Sequence, residues 1–166
     1  MKLVLTEEEQ FLQDTAKNFA AERSPISHFR NLRDTNDPIL WDKDIWSEMV
    51  KLGWPGILIP EEYGGAGLPI RGGAVILETI NRMGCSAAAG HAQMYTMGTI
   101  LRHGSKEQKA EFLPKIACGE VLPTAVFTEP DVGSDLGSIK TKAIRENEVY
   151  KISMYNEDLI KVKVTE

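Results

Sequence analysis

Apolar residues recur at helical spacing as far as Gly119 and at strand spacing beyond it, and that switch divides the chain into a helical body and the opening of a sheet. Leu12, Ala16, Phe19 and Ala20 share one helix face, as do Ile45, Trp46, Met49 and Val50 farther on, and Ile70, Ala74, Leu77 and Ile80 after them. Past Gly119, residues 121–127 read as a short buried strand. Residues 139–144 then alternate with Lys140 and Lys142 outward, and Glu146-Asn147-Glu148 turns the chain into 149–152. The expected fold class is mainly α: an all-α domain over residues 1–120, then the first strands of an incomplete β domain over 121–166.

Local signals mark the helix ends. Thr6 is placed to cap the Glu9 amide while Glu9 reaches back, and Glu7, Glu8 and Glu9 suit the positive end of a helix dipole. The polar stretch 23–38, broken by Pro25 and Pro38, follows, with His28 read as a surface residue. A second helix over 42–52 stops at Gly53. Residues 54–68 carry Pro55, Pro60 and glycines 64, 65 and 67, so they cannot form a long helix; they are either a tight backbone approach or a simple connection. Pro69 opens a third helix that runs to Gly84, and a fourth over 86–103 is rich in small residues, which permit close helix contact or leave room for a ligand. Ser105 and Gln108 repeat the capping box on a fifth helix that Pro114 kinks or divides.

Composition excludes several classes. A net charge of −5, scattered basic residues and 7% aromatics argue against nucleic-acid binding. Cys85 and Cys118 lie far apart without metal-ligand spacing, so neither a metal site nor a disulfide framework is expected, and both thiols are read as core fillers. No apolar run reaches membrane-spanning length and no signal-peptide core follows Met1, which makes the expected location cytoplasmic.

One stretch, residues 125–138, carries chemistry. An apolar run breaks at Glu129-Pro130 into a turn containing Gly133, Ser134 and Asp135. Positive φ at Gly133 would let consecutive amides form a concave anion nest, with the Ser134 hydroxyl as a further donor. The same residues also make ordinary turns, and spacing alone leaves both readings open.

The run Phe127-Thr128-Glu129-Pro130 through Gly133-Ser134-Asp135 resembles the flavin-site signature of the acyl-CoA dehydrogenases. So do Ile59-Pro60-Glu61-Glu62-Tyr63-Gly64-Gly65-Ala66-Gly67-Leu68, His103-Gly104-Ser105-Lys106-Glu107-Gln108-Lys109, and Phe112-Leu113-Pro114-Lys115-Ile116-Ala117-Cys118-Gly119-Glu120. Four motifs in one order, within a resemblance spanning about residue 3 to residue 152, are more specific than any one.

The resemblance implies an oxidoreductase of fatty acid metabolism that α,β-dehydrogenates acyl-CoA, with FAD as cofactor, an electron-transfer flavoprotein as partner and a homo-oligomeric state. By position Phe127 and Thr128 match groups that contact the flavin ring, and Gly133 and Ser134 match the position near the FAD pyrophosphate, Ser134 also lying near the CoA thioester arm. Ala87, Ala88, His91 and Tyr95 fall on the helix that lines the acyl cavity in the family. If His91 points into that cavity, the acyl group is short, branched or polar; the alternative is an ordinary core or surface histidine. No residue matches the family's catalytic glutamate, and Glu129 belongs to the binding motif with no base role.

After Ile152 the family pattern of Asn-Gly and a tryptophan strand is replaced by Ser153-Met154-Tyr155-Asn156-Glu157-Asp158, a departure suggesting truncation, a shifted frame or a degenerate product. The isolated chain is therefore expected to be inactive. Two rival readings are an interaction fragment without flavin, and the N-terminal part of a flavin monooxygenase or nitroalkane oxidase, which resemble the dehydrogenases over the same stretch.

Overall fold

The computed structural model describes residues 4–35, 42–124, 127–147, 149–154 and 157–163. Within them the helices are α1 (Glu7–Glu22), α2 (Ile26–Asp34), α3 (Lys43–Lys51), α4 (Ile70–Arg82), α5 (Ala88–His103) and α6 (Lys106–Ala117), followed by the strands β1 (Lys142–Glu146), β2 (Val149–Met154) and β3 (Glu157–Lys163). The chain forms two units, Met1–Ala125 and Val126–Glu166.

The first unit is a helical body that starts from the anticipated capping box: the Glu9 amide donates to Thr6 Oγ1 at 3.2 Å and the Thr6 amide to Glu9 Oε2 at 2.9 Å. Ala16, Phe19 and Ala20 are buried on the α1 face, and Phe19 meets Trp54 edge to face with centroids 4.9 Å apart. Each large apolar side chain removed from water in this way contributes about 1.5–3 kcal/mol. Glu9 also accepts from Arg71 on α4, Nε to Oε1 at 2.7 Å, so one carboxylate both caps α1 and ties it to its neighbour.

The α4 helix differs in phase from the sequence expectation. Ile70 is 74% exposed and Ala74 is exposed, while Gly72, Gly73, Val75, Ile76, Thr79 and Ile80 face inward. Close packing explains this: a Cβ at Gly72 would stand 3.5 Å from Leu12 of α1, and one at Gly73 would stand 3.2 Å from Met94 of α5. The polar stretch after α1 contains a helix, α2, with Pro25 at its N-cap, and His28 is half-buried against Asp42 at 2.7 Å. Pro114 does not divide α6, which runs continuously from its Ser105–Gln108 capping box to Ala117. Of the thiols, only Cys85 fills core space; Cys118 is exposed.

Residues 54–68 form a tight backbone approach. The amides of Ala66, Gly67 and Leu68 donate back to the carbonyls of Gly56, Ile59 and Ile57 at 2.8–3.0 Å, with Gly64 and Gly67 in left-handed conformations. This packs Ile59 into a second core cluster with Met97, Leu113 and Ile116.

The second unit is an antiparallel meander in the order β1-β2-β3. Ile144 pairs with Lys151 and Ile152 with Ile160, with an irregularity after Ile152. Asn147 takes φ +59 at the β1–β2 turn, a conformation asparagine tolerates. The strand expected over 121–127 is not formed at 121–124, and residues 125 and 126 lie outside the described set. The Val121 amide is spent on the Lys115 carbonyl at the end of α6, and Pro123 has no donor to offer a ladder.

Candidate functional site

Residues 127–141 form a loop built on Glu129. Its amide donates to the Val132 carbonyl at 2.9 Å and its carbonyl accepts the Val132 amide at 3.0 Å, which closes a tight turn with Pro130 at the second position. The Glu129 side chain then reaches across the loop. Its carboxylate accepts from the Lys140 amide at 3.0 Å, the Thr141 amide at 2.8 Å and the Thr141 hydroxyl at 2.6 Å. The Thr141 hydroxyl first, then the Lys140 amide, hold this carboxyl below its ordinary pKa.

The four residues matched to the flavin signature lie on this loop, and all are exposed: Phe127 at 50%, with Thr128, Gly133 and Ser134. Gly133 does not adopt the left-handed backbone that a nest there requires, and no heavy atom lies within 4 Å of the position its Cβ would take. The loop therefore takes its shape from the Glu129 bonds, with open space above Gly133. Two hydroxyls, Thr128 and Ser134, are hydrogen-bond donors that suit an anion, and the exposed Phe127 ring offers an apolar face that suits a flavin edge.

The four residues assigned to an acyl wall separate in the helical unit. Ala87 is buried in the main core cluster beside Trp54 and Ile80. Ala88, His91 and Tyr95 are exposed on α5, and the rings of His91 and Tyr95 meet edge to face with centroids 5.4 Å apart. Ala88 and Ala89 also border a cavity of about 170 Å³ whose other walls include Ser24, Phe29, Trp46 and Met49. On the inner face of α5, Gln93 is fully buried and donates to the Ile116 carbonyl at 2.7 Å, while its Oε1 has no partner.

Among the described residues, no cluster of three metal-ligating side chains occurs, and no helix is long and apolar enough to cross a membrane. Sequence reasoning missed the carboxylate closure of the loop. A glutamate and a threonine twelve positions apart carry no periodic signal, so only the fold brings Glu129 to Thr141.

Residues 6–120 match the family described as acyl-CoA dehydrogenase, N-terminal domain. The chain is 38% identical over 157 residues to (2S)-methylsuccinyl-CoA dehydrogenase of Cereibacter sphaeroides, an alignment covering 89% of this chain and 27% of the relative. It is 32% identical over 149 residues to mitochondrial isovaleryl-CoA dehydrogenase of Bos taurus, covering 87% and 32%. The crystal structure of an acyl-CoA dehydrogenase from Geobacillus kaustophilus superposes with a TM-score of 0.80 at 26% identity, over 92% of this chain and 39% of that one. The chain thus spans about a third of the length of these relatives. Fold and sequence together define a helical N-terminal domain of the acyl-CoA dehydrogenase type, followed in the chain by a polar loop and a sheet. The chain belongs to the acyl-CoA dehydrogenase family.

Proposed function

We propose that these residues are the N-terminal part of a flavoprotein that α,β-dehydrogenates acyl-CoA thioesters and passes electrons to an electron-transfer flavoprotein, within a homo-oligomer. The observation that carries this reading is the loop closed by Glu129, which presents Phe127, Thr128, Gly133 and Ser134 outward in a chain of this family. When bound, FAD supplies the hydride acceptor. Phe127 and Thr128 orient the ring edge, while the Gly133 backbone and the Ser134 hydroxyl meet the phosphate end and the thioester arm. Glu129 is not the base for the α proton, because its carboxylate already accepts three hydrogen bonds within the loop. On this reading the 166 residues by themselves carry out no turnover.

Ala88, His91 and Tyr95 form the acyl-facing surface, with Ala87 behind it. An imidazole and a phenol on this surface favour a short acyl group that is branched or carries a polar end, in keeping with relatives named for methylsuccinyl-CoA and isovaleryl-CoA. The deciding experiment is a visible absorption scan of the purified chain after incubation with FAD and removal of unbound dye. A retained flavin band with shifted maxima is the expected result; a colourless protein refutes the flavin reading.

A further inference from the structure

We infer that Glu129 is a positioning residue: its carboxylate closes residues 130–139 into a loop and thereby holds the Gly133–Ser134 rim in the shape that receives the cofactor's phosphate end. The receiving role of that rim rests on the proposed function; the closure does not.

Burial makes the first case for this role. Among the described residues of 127–147, only Glu129 and Val132 are buried, with Glu129 4% exposed. Val132 is the one buried apolar side chain among them, and the loop's ends meet through polar bonds. The loop is of the size at which compact surface loops are packed by their own side chains.

Two further bonds within the loop are weak or local. Asp131 and Lys140 pair at 3.6 Å with both side chains more than 60% exposed, and such pairs contribute little. Ser138 donates to Asp135 at 2.5 Å, three residues away, and shapes only the 3-10 turn Leu136–Ser138. Glu129 spans the loop's full length through an uncharged partner set, two amides and one hydroxyl. Hydrogen bonds to a charged acceptor are about twice as strong as neutral ones. Opening the loop would exchange these charge-assisted bonds for bonds to water, at the net cost of the closed arrangement.

The test uses the 166-residue chain and the variants Glu129→Gln, Glu129→Asp and Thr141→Val. Glutamine turns an amide donor toward the Lys140 and Thr141 amides. Aspartate keeps the charge on a shorter arm, and Thr141→Val removes one donor while leaving Glu129 intact. The readouts are amide hydrogen exchange at Val132, Lys140 and Thr141 without cofactor, FAD binding by flavin fluorescence, and helix content as a folding control.

Glu129→Gln is expected to speed exchange at Lys140 and Thr141 about tenfold and to weaken FAD binding by a similar factor, at unchanged helix content. Glu129→Asp and Thr141→Val are expected to lie between Gln and wild type. If Glu129→Gln fails to fold, Thr141→Val carries the same comparison. Unchanged exchange overturns the closure. Faster exchange with wild-type FAD affinity overturns the positioning role. A wild-type chain that takes no FAD refutes the flavin reading and the positioning role with it, while exchange still judges the closure.

Discussion

Gly65 lies so close to Ile59 that a Cβ built on it would sit 2.0 Å from the Ile59 carbonyl oxygen and 2.5 Å from that of Gly56. Both are backbone atoms, so no rotamer change relieves the contact. Gly65→Ala is expected to cost about 3 kcal/mol or more, read as a fall in the urea midpoint. Gly133→Ala makes the contrast, since its Cβ meets nothing within 4 Å. Its stability is expected to stay within about 0.5 kcal/mol of wild type, while the proposed flavin site predicts a fall in its FAD affinity.

Gln93 gives a prediction of opposite sign. Its Oε1 is buried without a partner, and the Ile116 carbonyl it serves also accepts the Gly119 amide at 3.1 Å. Gln93→Met removes one net hydrogen bond, worth about 1 kcal/mol, together with an unsatisfied acceptor that costs about 1–3 kcal/mol. Chemical denaturation of Gln93→Met should show stability equal to or above wild type, and Gln93→Glu, which buries a charge, should be clearly less stable.

Asp42 caps α3 by accepting the Asp44 and Ile45 amides at 2.8 and 3.0 Å and faces His28. The Ile45 amide is the main cause holding its carboxyl below the ordinary value, ahead of the contribution from His28. A carboxyl depressed in the folded state stabilises fully above its unfolded pKa of about 3.9 and loses that contribution as pH falls through the folded value. Asp42→Ala should cost about 1 kcal/mol at neutral pH. Asp42→Asn keeps a capping oxygen, so it should cost less and flatten the acid limb of a stability-against-pH curve; an unchanged acid limb would count against this assignment.

Arg71 and Glu9 join α4 to α1 with the guanidinium 2.7 Å from the carboxylate. Arg71→Lys cannot reproduce the fork, and Arg71→Met removes the charge while keeping most of the stem. Thermal melts should rank wild type above Lys and Lys above Met, with the gap narrowing in high salt.

Much of the fold was legible wherever a local rule sufficed. Both capping boxes, the α1 face and the left-handed glycine after α3 follow from chemistry within a few residues. The α4 phase was not legible, because apolar side chains at Ile70 and Ala74 imply one inner face while close contact with Leu12 and Met94 demands another, lined by Gly72 and Gly73. Helix α2 was hidden by its polarity and by Pro25, which serves as its N-cap. Strand β3 did carry a signal in the alternation of Ile160, Lys161, Val162 and Lys163, masked by comparison with a family pattern that differs there. At the candidate site the exposed residues were readable as a motif, whereas the Glu129 contact with Thr141 depends on where β1 begins.

The inner and outer faces of α5 share no residue. Gln93, Met94 and Met97 hold the helix against the body, and His91 and Tyr95 are exposed on its other side. Mutation at His91 and Tyr95 can therefore change the surface that α5 presents while leaving untouched the contacts that keep it in place.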